Sequence, residues 1–204
     1  MDLLGIWDSV ENIDFENLPK KFVLKCTHGC GYNIICRDKE KLNIQQTKKQ
    51  LNIWMKEDYG KKYSESHYSK IKPTIICEKY IDGLSDGQLP IDYKIHCSKG
   101  KVLFILCIVR EDIIKKQIVN KNFMEISNSL VKTEITFEAI KPKSYESMIK
   151  IAEEISQKFN FIRIDFYDLN GKLILGELTF TPAGGKLSYL NKNFGMYIGN
   201  KLKI

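Results

Sequence analysis

The sequence predicts an α+β fold in which two lobes are each built around a mainly antiparallel sheet. Three observations lead to this prediction: strand-like runs joined by short Gly-containing turns recur along the chain, only two segments show a helical period, and one Gly- and Asp-rich stretch lies between the two groups. A chain of 204 residues with 43% hydrophobic residues is long enough to bury a substantial core.

In the predicted first lobe, a hairpin is followed by a crossover helix. We predict residues 1–19 to be a polar lead-in. Residues 22–36 have the sequence FVLKCTHGCGYNIIC, in which two apolar runs flank a loop with two glycines, and this predicts strand, loop and strand. Residues 39–59 carry apolar side chains close to a helical period, which predicts a helix with Trp54 and Met55 in the core.

The boundary between the two predicted lobes lies in a polar region. Residues 60–72 are polar and predict a loop, and residues 73–80 are apolar enough for a strand. Residues 82–90 are rich in Gly and Asp, which indicates a turn or a boundary between subdomains. We therefore assign residues 1–85 to the first lobe and residues 86–204 to the second.

The second lobe is predicted to contain two hairpins and one helix. Residues 93–97 and 102–109 are strand-like and are linked by a Ser-Lys-Gly-Lys turn, whereas residues 113–140 are poorly patterned and predict an irregular excursion that closes over substrate. A helix is predicted over residues 144–159, which begin with a Ser suited to the N-cap and carry an apolar stripe. The last hairpin, residues 161–180, turns at an Asn-Gly dipeptide, which accepts positive φ.

The last hairpin carries a pair of carboxylates. Strand alternation places Arg163 and Asp165 on one face of its first strand, and Glu177 and Thr179 on one face of its second strand. Two carboxylates held together on a sheet repel each other unless a cation or a shared proton relieves the repulsion, and Mg²⁺ prefers carboxylate, water and phosphate oxygens. The spacing therefore predicts a Mg²⁺ site. It leaves open that these side chains are solvated positions on the open face of an antiparallel sheet.

The first hairpin contains the elements of a phosphate-binding loop. Gly29 and Gly31 let backbone N–H groups approach phosphate oxygens, and Lys25 at the end of the strand can hold a phosphate as a point charge. The loop is not a Walker A motif, because no Gly-Lys-Ser/Thr follows it, and it is not a dinucleotide fingerprint. A hairpin with two glycines and a surface lysine is the alternative interpretation.

Taken together, five strings of this sequence resemble the TupA-like group of the ATP-grasp superfamily. The strings are FVLKCTHGCGYNII, ICEKYI, DYKIHCSKGK, RIDFYDLNGK and GELTFTPAGG, and the similarity spans nearly everything from Leu3 to the C-terminus. GELTFTP is long enough to be specific. The resemblance implies an ATP-grasp fold, in which two α+β lobes with mainly antiparallel sheets clasp ATP. It also implies a role in the biosynthesis of teichuronopeptide or of other bacterial surface polymers.

The resemblance also implies residues that bind the nucleotide. Lys25 matches the lysine that contacts ATP phosphates. The flexible flap over the phosphates matches the loop that contains His28, Gly29, Gly31 and Asn33. The hinge, where backbone groups read the adenine edge, matches Glu78, Lys79, Tyr80 and Ile81.

In the second lobe the resemblance implies the metal ligands and the catalytic cations. Asp165 and Glu177 match the Mg²⁺ ligands, and Arg163 matches the cation beside the γ-phosphate. Thr179 stands where many ATP-grasp enzymes have a metal-binding Asn, although a hydroxyl is a poorer ligand than an amide oxygen. Two further basic residues in strand-like runs are candidates for the same cleft or, alternatively, solvated side chains: Lys94 and Arg110.

Composition and charge exclude several classes of protein. A net charge of +7 suggests anionic partners. The lysines are scattered, however, and the sequence has no RNA-binding motif, zinc finger or long basic helix, so we predict that the protein does not bind nucleic acid. No apolar run approaches the roughly 20 residues of a membrane span. The acidic N-terminus does not resemble a secretory signal, so we predict a cytoplasmic protein. The six cysteines lack CxxC spacing, which argues against zinc.

The predicted function is ATP-dependent ligation of a carboxylate to an amine, through an acyl phosphate, with a small molecule or a polysaccharide precursor as substrate. ATP-grasp enzymes usually carry a domain ahead of this region, which implies a separate N-terminal domain or a partner subunit. Two alternatives are a glycosyltransferase of a polysaccharide cluster, although the sequence has no D-x-D motif, and a truncated nucleotide-binding module without catalysis.

Overall fold

The chain folds into two compact units, Met1–Ile81 and Asp82–Ile204. This computed structural model describes residues 2–63, 65–81, 90–110 and 112–202. The predicted boundary between residues 85 and 86 lies outside the described residues, as does all of the predicted turn over residues 82–90 except Pro90. Each unit is described by itself below.

The described part of the first unit is built on a four-stranded antiparallel sheet. Its strands are β1 (Leu3–Trp7), β2 (Phe22–Cys26), β3 (Asn33–Cys36) and β4 (Ile75–Lys79), and they lie in the order β1-β4-β2-β3. The hairpin predicted over residues 22–36 is therefore confirmed. Phe22, Leu24 and Cys26 are buried, whereas Val23 and Lys25 on the opposite face of β2 are half-buried.

Two helices accompany this sheet. Helix α1 (Ile44–Lys56) begins after Asn43, whose Oδ1 accepts a hydrogen bond from the Gln46 N–H at 2.9 Å. The helix packs Leu51 into the sheet core, and Trp54 and Met55 contact the same core, as predicted. Helix α2 (Tyr59–Tyr63) follows after a short break.

Three predictions for the first unit were wrong in part. Residues 1–19 are not a polar lead-in, because β1 pairs with β4 and the following segment buries Val10, Ile13, Phe15 and Leu18. The predicted helix over residues 39–59 begins only at Ile44, since Asp38 caps a separate 3₁₀ turn over Lys39–Lys41. Residues 60–72 contain most of α2 and a further 3₁₀ turn, Tyr68–Lys70, rather than only loop.

The second unit is built on a five-stranded antiparallel sheet in the described residues. Its strands are β5 (Asp92–Ser98), β6 (Lys101–Arg110), β7 (Ile114–Val119), β8 (Ile162–Leu169) and β9 (Lys172–Thr179), in the order β7-β6-β5-β8-β9. All four strand pairs are antiparallel, which confirms the α+β prediction. Asn170 and Gly171 both adopt positive φ, so the Asn-Gly turn between β8 and β9 is also confirmed.

The two faces of this sheet have different neighbours. Helix α3 (Tyr145–Ser156) packs Met148 and Ala152 against one face, which includes Ile95 and Ile164. Helix α4 (Lys192–Gly199) packs against the other face, where its apolar side chains join Phe104, Leu106, Ile108 and Ile118. The polar side chains of the candidate site, described next, belong to the face that α4 partly covers, because strand residues alternate between faces.

Two predictions for the second unit also need correction. Residues 113–140 are not irregular throughout, because Ile114–Val119 forms β7, which pairs along its whole length with β6. Ser144 stands at the N-cap of α3, but its hydroxyl makes no capping bond, and its N–H instead donates to Asp168 Oδ2 at 2.8 Å. Asp168, which lies next to the turn between β8 and β9, therefore also holds the N-cap residue of this helix in place.

Candidate functional site

A β-bulge sets the alignment of the carboxylate hairpin. Asp165 pairs with Glu177 and Phe166 pairs with Leu175, so Gly176 is an extra residue in β9. A side chain at Gly176 would collide with Tyr167, whose Cε2 lies 2.8 Å from the position of a Cβ. Glycine at this position therefore allows the bulge that brings the Glu177 carboxylate opposite Asp165.

Asp165 is the buried acidic residue on which two cations converge. Its side chain is only 2% exposed. Arg163 donates to both of its oxygens, from Nε to Oδ1 at 2.7 Å and from Nη2 to Oδ2 at 2.8 Å, and Lys94 Nζ also donates to Oδ2. Arg163 Nη2 lies 3.1 Å from Glu177 Oε2 and so links the two carboxylates. Burial raises the pKa of the Asp165 carboxyl, and the two cations oppose that shift.

Asp92 is a site residue that the sequence prediction missed. It is 2% exposed, and its Oδ2 lies 2.9 Å from Lys94 Nζ and 2.7 Å from Arg110 Nη1. The alternation in IDYKIHC places Asp92 and Lys94 on one face of a strand, but it does not show that Arg110 of another strand lies beside them. We call the six linked side chains the carboxylate–cation cluster: Asp92, Lys94, Arg110, Arg163, Asp165 and Glu177.

The cluster fits a hard divalent cation. Three carboxylates face three basic side chains, so the cluster is formally neutral before any ligand is added. Thr179, which pairs with Arg163, has a buried Oγ1 without a hydrogen-bond partner in the described part of the chain. No group of three His, Cys, Asp or Glu side chains that could enclose a metal occurs among the described residues. The side-chain oxygens of Asp165, Glu177 and Thr179 are nevertheless of the type that Mg²⁺ binds, and this ion would complete its shell with water and phosphate oxygens.

A buried histidine lies in the sheet beside the cluster. His96 pairs with Arg163 across β5 and β8 and stacks on Phe104, with 4.1 Å between ring centroids. Its Nδ1 lies 3.1 Å from the Lys94 carbonyl oxygen, so this nitrogen carries the proton and donates, and Nε2 lies 3.5 Å from the Tyr189 hydroxyl. Burial lowers the pKa of His96 to about 3, and the charge of Arg163 adds to this effect.

We expect this histidine to make folding stability depend on pH. An unfolded histidine has a pKa of about 6.5, so between that value and the folded pKa of about 3 the unfolded chain binds more protons. The contribution of neutral His96 is therefore complete above pH 6.5 and is lost as the pH falls, by about 1.4 kcal/mol per unit. Urea unfolding between pH 7 and pH 5 should show a smaller change for His96→Gln than for the wild type.

The exposed histidine of the first unit is the matched control for that measurement. His67 has a half-exposed side chain, so His67→Gln is a substitution of the same type that leaves the buried His96 in place. Equal pH dependence of the wild type and His96→Gln would show that folding does not lower the pKa of His96.

In the first unit, the structure brings together Lys25 and Glu78. Lys25 Nζ forms an ion pair with Glu78 Oε2 across the neighbouring strands β2 and β4. The side chain of Lys25 is 33% exposed and that of Glu78 is 15% exposed, so the pair lies on the accessible face of the sheet rather than in its core. Both residues were predicted to bind the nucleotide, and this role stays a prediction; in this structure each is the ion-pair partner of the other.

The glycine loop between β2 and β3 is anchored at both ends. His28 is buried, and its Nε2 lies 2.8 Å from the Trp54 carbonyl oxygen. Tyr32 stacks on Trp54 with 5.1 Å between ring centroids. The predicted flap is thus held by two side chains, and the His28 imidazole is turned into the protein rather than towards a ligand. The three other predicted flap residues lie between or just after these anchors: Gly29, Gly31 and Asn33.

The predicted hinge residues lie at the end of β4. Glu78 and Lys79 are its last two residues, Tyr80 is buried, and Ile81 is half-buried. Lys21 Nζ lies 5.8 Å from the centre of the Tyr80 ring. The chain beyond Ile81 enters residues 82–89, which are outside the described part, so adenine recognition by these groups stays a prediction.

The described helices also bear on the membrane prediction. Among residues 2–63, 65–81, 90–110 and 112–202, no helix has the length and apolar character that crossing a bilayer requires.

Comparisons with known proteins give one family and several solved structures. A sequence model described as TupA-like ATPgrasp matches residues 1–203. The comparison with curated proteins gives no match. D-alanine–D-alanine ligase from Bacillus anthracis, complexed with ATP, is similar with a TM-score of 0.50 and 16% identity, over 91% of this chain and 50% of that chain.

Two further solved structures are similar at lower scores. D-alanine–D-alanine ligase from Helicobacter pylori has a TM-score of 0.49 and 14% identity over 98% of this chain and 51% of its own. The ATP-grasp ligase PsnB, complexed with a minimal precursor, has a TM-score of 0.43 and 11% identity over 86% of this chain and 44% of its own. The chain thus spans about half the length of the solved structures that it matches. The likeness to the Bacillus anthracis ligase concerns the fold alone, and together with the family match it shows the ATP-grasp fold.

Proposed function

Because this chain belongs to the TupA-like ATP-grasp family, we propose that it is an ATP-dependent carboxylate–amine ligase of bacterial surface-polysaccharide biosynthesis. The observation that carries the proposal is the carboxylate–cation cluster, in which Asp165 and Glu177 lie opposite each other with three basic side chains around them. Polar groups arranged in advance around a transferring phosphoryl group are the main requirement for phosphoryl transfer.

In this proposal, the hairpin of β8 and β9 holds Mg²⁺. Asp165 and Glu177 would supply carboxylate oxygens, and Thr179 would supply its unpartnered Oγ1. The bound ion would neutralise charge on the phosphate oxygens of ATP. Binding of an ion to Asp165 competes with the hydrogen bonds of Arg163 and Lys94, because all of them use the same two carboxylate oxygens.

The basic side chains of the cluster then act on the phosphates. Arg163, Lys94 and Arg110 carry N–H donors that suit phosphate oxygens as well as the carboxylates they contact in this structure. In the proposed reaction, a substrate carboxylate oxygen attacks the γ-phosphorus and ADP leaves. A nucleophile, which we take to be an amine, then attacks the acyl carbon and phosphate leaves. Both steps need positioning and charge stabilisation rather than a protein nucleophile.

The substrate class and setting are part of the same proposal. The likeness of GELTFTPAGG to this family supports a role in assembling teichuronopeptide-like or capsular polymers from a small molecule or a polysaccharide precursor. We propose that the reaction takes place in the cytoplasm, where ATP is available. Since the chain spans about half the length of the solved structures it matches, we also propose that an N-terminal domain or partner subunit contributes to the acceptor site.

Release of ADP is the direct test of this function. The proposal expects Mg²⁺-dependent ADP release only when both an acid and an amine are present, because the acyl phosphate needs both to turn over. Binding of ATP without ADP release under any substrate mixture would instead favour the non-catalytic module. A larger thermal stabilisation by a UDP-sugar than by ATP would favour the glycosyltransferase.

Replacement of Lys25 tests the contribution of the first unit. Lys25→Met keeps the length of the side chain and removes its charge, so we expect MgATP to bind about tenfold more weakly, in line with the loss of one charge-assisted contact. Equilibrium dialysis with labelled ATP measures this change.

A second lysine provides the control for Lys25. Lys20 is 67% exposed, and its Nζ lies 4.0 Å from Oδ1 of Asp38. Lys20→Met should therefore leave ATP affinity unchanged. An equal loss in the two variants would indicate a general effect of net charge and not a phosphate contact of Lys25.

A further inference from the structure

Asp92 lies within the carboxylate–cation cluster, yet the metal ligands and phosphate contacts proposed above do not include it. It is the first residue of β5 and is almost completely buried. Its Oδ2 contacts both Lys94 and Arg110, at 2.9 and 2.7 Å. A buried carboxylate is stable only when its charge is balanced, and here two of the proposed phosphate-binding cations provide that balance.

Lys94 has two carboxylate partners, and only one of them is a proposed metal ligand. Its Nζ donates to Asp165 Oδ2 and lies 2.9 Å from Asp92 Oδ2. A divalent cation on Asp165 would repel the Lys94 ammonium from that carboxylate. Asp92 would then be the carboxylate that still holds Lys94.

The other oxygen of Asp92 provides an independent observation. Asp92 Oδ1 is buried and has no hydrogen-bond partner in the described part of the chain. A buried acceptor without a donor costs free energy. A donor that changed position and formed a hydrogen bond to Oδ1 would recover that free energy. Lys94 carries three N–H donors on a flexible stem and already lies 2.9 Å from Oδ2 of the same carboxylate, so it could supply that donor.

We propose that Asp92 is a positioning residue, which keeps Lys94 in the cluster after a divalent cation has taken Asp165 and so directs this ammonium group to the nucleotide phosphates. This proposal rests on the proposed function, because it assigns Asp165 to the metal. Asp92 itself touches neither the metal nor the nucleotide in this scheme.

A purely structural role for Asp92 makes a different prediction. An internal counter-ion would support the fold equally with and without a divalent cation. A positioning role matters most when the divalent cation is present, since without it Asp165 still holds Lys94. The dependence of nucleotide affinity on Mg²⁺ therefore separates the two roles.

The test is equilibrium dialysis of the full chain with an ATP analogue that has an imido bridge between the β and γ phosphates. Asp92→Asn keeps the shape of the side chain but removes its charge. In the presence of Mg²⁺ we expect the variant to bind the analogue about tenfold more weakly than the wild type, as for the loss of one hydrogen bond to a charged group. In EDTA, the ratio of the two affinities should stay within about twofold.

A second ion pair of the same unit gives the control. Lys116 and Glu134 form a half-buried pair outside the cluster, so Glu134→Gln should not change the affinity in either condition. An equal loss for Asp92→Asn with Mg²⁺ and with EDTA, or no loss at all, overturns the positioning role while the proposed function stands. If the wild type fails to bind the analogue with Mg²⁺, the proposed function fails and the positioning role fails with it.

Lys94→Met is the second variant if Asp92→Asn does not fold. Without Lys94, Asp165 keeps Arg163 and Asp92 keeps Arg110, so each buried carboxylate retains one cation. Because Asp92 acts through Lys94, this variant should lose at least as much affinity in Mg²⁺ as is expected for Asp92→Asn. An affinity in Mg²⁺ equal to that of the wild type contradicts the proposal.

Discussion

Asp165→Asn is expected to abolish ATP turnover, with a loss of about a thousandfold or more in Mg²⁺-dependent ADP release. The amide keeps the shape of the side chain but lacks the negative charge that Mg²⁺ requires of its strongest ligands. The substitution also leaves Lys94 and Arg163 without their shared buried carboxylate. The measurement is ADP release at saturating MgATP with an acid and an amine present.

The same substitution is expected to lower stability, so it needs a control on the same strand. Removing one partner of a buried ion pair costs about 3–5 kcal/mol, and circular dichroism must first show that the variant is folded. Asp168 is also on β8, but its carboxylate accepts hydrogen bonds from the N–H groups of Ser144 and Gly171, outside the cluster. Asp168→Asn should keep its turnover. Unchanged turnover in Asp165→Asn would remove the metal assignment.

Phe104→Ala is expected to destabilise the protein by about 3–5 kcal/mol, because it removes a large and completely buried side chain. Phe104 stacks on His96 and meets Phe194 of α4 edge-on, with 5.6 Å between ring centroids. Its loss would leave a cavity between β6 and α4 and would free the imidazole ring that lies beside Arg163. Urea unfolding at pH 7 measures the change in the free energy of unfolding.

Helix α4 itself offers the control for this prediction. Met196 is 54% exposed, so Met196→Ala should change the free energy of unfolding by less than about 0.5 kcal/mol. A similarly small change for Phe104→Ala would mean that α4 does not pack on this face of the sheet in solution.

The carboxylate hairpin could be predicted in detail because its evidence is local. The Asn-Gly turn and the period-two alternation on each side of it fix which side chains share a face. Arg163, Asp165 and Glu177 were predicted to point the same way, and the structure links all three by hydrogen bonds. The Gly176 bulge, in contrast, is visible only in the pairing of the two strands.

Other features could not be predicted because they depend on strands that are distant in sequence. Lys94 and Asp165 are 71 residues apart, and they meet because β5 pairs with β8. Asp92 looks like an ordinary polar residue until β6 places Arg110 beside it. The N-terminal residues appeared to be a lead-in because an edge strand such as β1 is recognised from its partner, β4, more than from its own pattern.

By itself, the sequence determined the family, the α+β class, the strand lysine of the first unit and the acidic face of the last hairpin. These depend on strings, local turns and alternation, which are properties of neighbouring residues. Only the tertiary structure decided which cation neutralises which carboxylate, that Asp92 belongs to the site, and that His28 is turned inward. The physical reason is that charge interactions depend on distance and burial, and the pairing of remote strands sets both.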